Sequence, residues 1–234
     1  MSTRQSLRAV AVLGLSSVAI YLIATVVGAA ITPGYSHVAD PISGLTASHA
    51  PHSVVLGLAY VAYNIAAAPF GWALARLQAS SRLLWVNAWL MTAGAIAGIG
   101  QVTLFRQDTI GAPATIPGMV HIGLATTSAL LTVACTIIYA VAFRRDLGSK
   151  RLSRFSLACT VTILVTGPLA GFSFGTPWMG AVERLPIGTF LVWIAVVSVA
   201  ALRHARQGEV QPFADPLGSP EVEREAPSVN ALPG

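Results

Sequence analysis

The chain has 234 residues, 54% hydrophobic and 10% charged, with a mean hydropathy of +0.69. Soluble domains carry about 25% charged residues, so this composition excludes an ordinary soluble globule. The net charge of +5 does not point to nucleic acid, because the basic residues flank apolar runs and would hold them at a membrane surface; no nucleic-acid partner is expected.

Six stretches are free of Asp, Glu, Lys, Arg and His: 9–36, 53–75, 83–105, 122–143, 155–182 and 185–202. Crossing about 30 Å of hydrocarbon at about 1.5 Å per residue takes about 20 apolar residues. The expected fold is all-α, a six-helix transmembrane bundle over residues 1–206, with spans at about 9–31, 53–75, 83–105, 119–143, 153–172 and 185–202. For the first span, Arg4, Arg8 and the small residues Gly28, Ala29 and Ala30 also fit a signal peptide. The apolar stretch Ala9–Ile31 exceeds the usual h-region of about 7–15 residues, so a retained span is expected.

Spans two, three and four carry small or polar stripes at helical spacing: Gly57, Tyr60, Asn64, Ala67 and Gly71; Asn87, Met91, Gly94, Gly98 and Gln101; His121, Ala125, Ser128, Thr132 and Cys135. Lipid supplies no hydrophobic force between helices, so such stripes predict helix–helix packing, with Gly94 and Gly98 forming a GxxxG pair. Pro69 in span two and Pro168 in span five each remove an N–H and predict kinks. Cys135 and Cys159 lie in apolar runs, which argues against a disulfide framework. The two halves show no convincing repeat.

Eleven Lys and Arg fall on one set of connections: Arg4, Arg8, Arg76, Arg82, Arg144, Arg145, Lys150, Arg151, Arg154, Arg203 and Arg206. The other set has only Arg106 and Arg184. The positive-inside rule then puts both termini in the cytoplasm, in a multi-pass protein of the plasma membrane. Residues 207–234 hold five prolines and no periodicity, and predict a disordered cytoplasmic tail.

The remaining polar residues gather at the outer face. The first outer loop holds Asp40, Pro41, Ser43, His49 and His52; the second holds Arg106 and Asp108 and runs to His121; the third holds Trp178, Glu183 and Arg184. One reading is solvated loops, with Asp40 as N-cap of a short helix starting at Pro41. A second is a zinc site, but no HExxH or HxxxH occurs and Pro51 interrupts His49 and His52, so no metal ligands or cofactor are assigned. A third is a catalytic or ligand-binding pocket. There His121 acts as base or donor, Asp108 or Glu183 orients it, and Ser43 is the candidate nucleophile, with Asp40, Arg184, Arg106 and Trp178 as ligand-binding residues. On this reading His121 should reach at least one of Asp40, Asp108, Glu183 or Arg184, directly or through one water.

The stretches Pro33–Ser43, Phe105–His121 and Gly180–Arg184 together resemble family 998 of the domains of unknown function, which comprises prokaryotic six-span membrane proteins. The resemblance covers about residues 9–203 and implies the six-span fold but brings no established activity. The six-span layout with a histidine atop span four is also similar, in architecture alone, to the DRAM and Frag-type membrane proteins, the latter linked to lipid remodelling. Membrane lipids are the expected partners. The expected role is handling a lipid or small ligand at the outer face by binding or hydrolysis, with a structural or regulatory protein lacking catalysis as the alternative.

Overall fold

The computed structural model describes residues 2–207 and Phe213. Among these, every regular element is helical: α1 (Thr3–Ile31), α2 (Ser53–Ala75), α3 (Arg82–Thr103), α4 (Ile116–Arg145), α5 (Lys150–Phe172) and α6 (Met179–Gln207), with short 3-10 helices at Ile42–Thr46 and Arg76–Gln78. All six long helices are long and apolar enough to cross a membrane. Hydroxyl side chains start four of them. Ser2 and Gln5 form a reciprocal capping box on α1, and Ser81, Thr115 and Ser149 accept the N–H groups of Leu84, Gly118 and Leu152. Most helices run past the charge-free stretches; α6 begins at Met179, ahead of Glu183 and Arg184, rather than at 185. The apolar run marks only the hydrocarbon-sized part of a helix, and backbone hydrogen bonding continues where charges are hydrated.

Each helix packs on its neighbours in the chain, and α6 closes back on α1, so the substantial helix contacts form a ring. Outward faces are apolar: Val12, Ile23, Ile96, Leu130 and Val165 are each more than half exposed, as a lipid-facing surface requires. Toward the face that carries the termini, the ring is filled. Trp193, Tyr139, Phe70 and Phe143 are fully buried against one another, with Tyr139 4.8 Å from Trp193 between ring centroids. Hydrogen bonds across helices support this plug: Trp193 Nε1 donates to Ser156 Oγ at 2.9 Å, and Asn87 Nδ2 to the Cys135 carbonyl at 3.0 Å. In the tail, Phe213 is 1% exposed and meets Phe143 and His204 edge-on. The tail expectation otherwise concerns residues outside those described.

The polar stripes do more than pack helices. Gly98 is a packing residue, since a Cβ there would come within 2.6 Å of Asn64 Oδ1. A Cβ on Gly94 would meet nothing within 4 Å, so this half of the GxxxG pair faces open space. That space is the cleft described below.

Candidate functional site

The loop face is braced by α6. The Glu183 carboxylate accepts the N–H of Ile42 at 2.6 Å and so caps the 3-10 helix Ile42–Thr46 from another part of the chain. Arg184 donates to the carbonyls of Asp40 (3.1 Å) and Gly180 (2.6 Å), to Tyr35 Oη (2.7 Å) and to His37 Nδ1 (3.2 Å). Tyr35 passes the link on, donating to the Pro41 carbonyl at 2.9 Å. Burial raises the Tyr35 pKa, with Arg184 opposing the rise. Ala181 N–H donates to the Val38 carbonyl at 3.0 Å, and a methyl at Gly180 would collide with the Asp40 carbonyl oxygen. The first loop is therefore held directly against the backbone of α6.

Asp40 does not cap the helix that follows it. Its carboxylate accepts the Ser36 N–H at 2.7 Å and closes the preceding turn, while the N-cap position of the 3-10 helix is Pro41. Proline fixes its own φ and leaves the cap to a residue from α6, Glu183.

Asp108 braces the start of α4. It accepts the Thr115 N–H at 2.8 Å and the Thr115 hydroxyl at 2.7 Å, and a methyl at Gly118 would strike its carboxylate. These two bonds, the backbone one first, hold its carboxyl below the ordinary value; His121 adds a smaller effect in the same direction. Arg106 donates to Ser53 Oγ at 3.3 Å, tying the second loop to α2.

His121 is 5% exposed, and its Nδ1 lies 2.8 Å from the Phe105 carbonyl. A carbonyl only accepts, so Nδ1 carries the proton and a neutral ring presents Nε2 as an acceptor. Two residues beyond Phe105, the side chain of Gln107 accepts the Ser43 hydroxyl, which also lies against the Glu183 carboxylate. His121, Gln107, Ser43 and Glu183 line the mouth of a cleft of about 460 Å³ that extends between the helices to Met91 and Cys135. Its walls below the mouth are mainly apolar or small, with polar groups from Asn64, Gln101, Thr126, Ser128, Thr132 and three tyrosines among them. The volume falls within the range of small-molecule sites, about 300–1,000 Å³.

Of the eight residues singled out in the sequence, three line the cleft: His121, Ser43 and Glu183. Asp40, Arg106, Asp108 and Arg184 are bracing residues, and Trp178 is 56% exposed and outside the lining. Among the described residues no hydrogen bond joins His121 to Asp40, Asp108, Glu183 or Arg184; its partner is backbone, at Phe105. Gln107 was missed, although it lies between two residues that the sequence did flag, because an uncharged amide in a polar loop gives no signal. No group of three or more His, Cys, Asp or Glu among the described residues is placed to hold a metal ion.

Six apolar helices closed into a ring, with a cleft opening among polar loops, define a multi-pass α-helical membrane protein. The chain belongs to the family described as a protein of unknown function, DUF998, which it matches over residues 15–200. No curated protein and no solved structure matches it.

Proposed function

We propose that this protein resides in the cell membrane with both termini cytoplasmic. It binds a membrane lipid or similar amphiphile in the cleft, polar end toward the loop face. The observation that carries the reading is the graded lining: Ser43, Gln107, His121 and Glu183 at the mouth, and mainly apolar walls between the helices. Such a gradient matches a molecule with a polar head and an apolar tail. The orientation rests on the eleven-to-two distribution of Lys and Arg.

Binding is favoured over hydrolysis by the hydrogen bonds at the mouth. A hydroxyl nucleophile needs its base within bonding reach. Ser43 donates to Gln107 rather than to His121, and the base it lies against, Glu183, is engaged in holding the Ile42 N–H.

The test is thermal unfolding of the delipidated full chain in detergent, with and without a long-chain amphiphile. Saturation at about 100 times Kd stabilises by about 2.7 kcal/mol, a readily measured rise in Tm. Gly94→Phe should abolish the rise, because Gly94 lines the cleft and a side chain there meets no obstacle. Equal rises in both proteins, or none in either, would favour a structural or regulatory role without a ligand in the cleft.

A further inference from the structure

The cleft opens sideways. One face of α4, with His121, Ala125, Ser128 and Thr132, lines it from within the ring. A second face, with Ile122, Thr126 and Ala129, lines it too, on the side where α5 should pack. Ile122 is 55% exposed, and Thr126 and Ala129 are exposed as well. On α5, Gly167 and Gly171 line the same gap, and a Cβ on either would meet nothing within 4 Å. Nearer the termini the two helices are joined, Thr160 Oγ1 donating to Thr136 Oγ1 at 2.9 Å. The outer halves of α4 and α5 thus leave a slot at membrane depth. Above the cleft, the loops are tied together by Ser43 to Gln107, Ile42 to Glu183 and Ser48 N–H to the Gln107 carbonyl. The open route leads into the bilayer.

The charge of the lining weighs against an anionic head group, and its one carboxylate already accepts the Ile42 N–H, which leaves a cationic head less to gain. Among the described residues that line the cleft there is one carboxylate, Glu183, and no Lys or Arg. The nearby arginines are spent on the loops, Arg184 on carbonyls and Tyr35, and Arg106 on Ser53. A phosphate or carboxylate head would lose its water beside an acid with no cation to pair with, at high cost. His121 Nε2 is an acceptor at the mouth to which no described residue donates. A hydroxyl satisfies it without burying a new charge.

Resting on the binding reading above, we infer that the ligand is an uncharged lipid with a free hydroxyl. It enters from the bilayer between α4 and α5 and donates its hydroxyl to His121 Nε2.

Photoactivatable long-chain probes of equal length, ending in an alcohol, a carboxylate or an amine, test this on the full chain in proteoliposomes. The alcohol should label the Ile122–Ala129 and Gly167–Phe174 segments several-fold more than either charged probe. His121→Asn keeps an N–H donor for the Phe105 carbonyl but removes the acceptor at the Nε2 position, and should cut alcohol labelling about three- to tenfold. His121→Gln restores a polar group at that position and should recover most of it. Labelling by the carboxylate or amine equal to or above the alcohol, or an unchanged alcohol signal in His121→Asn, overturns the inference while leaving amphiphile binding in place. No labelling by any probe overturns both.

Discussion

The Glu183 carboxylate accepts the backbone N–H of Ile42 at 2.6 Å, so a side chain of α6 holds the 3-10 helix that roofs the cleft. Removing it leaves a part-buried donor unpaired. Glu183→Ala should destabilise the detergent-solubilised protein by about 1–3 kcal/mol in thermal or chemical unfolding. Glu183→Gln, which keeps a carbonyl acceptor, should lose less than half as much. Equal losses would mean that charge, rather than the cap, is what matters.

Two glycines should respond oppositely to one methyl group. Gly180→Ala drives a Cβ into the Asp40 carbonyl and should cost about 1–3 kcal/mol or more. Gly94→Ala meets nothing within 4 Å and should be neutral or mildly stabilising, since alanine is the better helix former. Paired melting curves of the two variants decide the point.

Asp108 supplies a pH signature. Its pKa is lowered from 3.8 by the Thr115 bonds, so its contribution to stability is fully present above the ordinary carboxylate value and is lost as pH falls through the folded-state value. The Tm gap between wild type and Asp108→Asn should be constant near neutrality and close in acid. A gap that persists unchanged at low pH would show that the ionised carboxylate is not the stabilising form.

Phe213 changes what is expected of the tail. A composition poor in apolar residues predicts that truncation after Gln207 is silent, yet Phe213 is 1% exposed against Phe143 and His204. Both the truncation and Phe213→Ala should lower stability, by about 2 kcal/mol or more for loss of a buried phenyl ring. Melting temperatures matching wild type would show the contact to be energetically idle.

Orientation is open to direct labelling. Single cysteines at Gly111 and Thr176 should react with an impermeant thiol reagent from outside intact cells, and one at Ser149 should not. The native Cys135 and Cys159 are both buried, so their background should be low. The reverse pattern would invert the proposed topology.

The number of long apolar helices was legible in the sequence, because apolar length is a local property. The predicted second span, 53–75, coincides with α2, Ser53–Ala75. The gathering of these polar loop residues on one face was legible for the same reason, since alternating spans return every second loop to the same face. Tertiary structure decided which of those residues brace and which line the cleft. Asp40 turns back to Ser36, Arg184 reaches carbonyls and Tyr35, and Glu183 crosses 141 residues of sequence to Ile42. It also decided that α6 closes on α1 and that α4 and α5 both contribute to the lining of the cleft. Lipid tails are as apolar as leucine, so hydropathy cannot say which helix faces meet. Close fits such as Gly180 on Asp40, and single hydrogen bonds such as His121 to Phe105, settle that, and they exist only once distant segments are in contact.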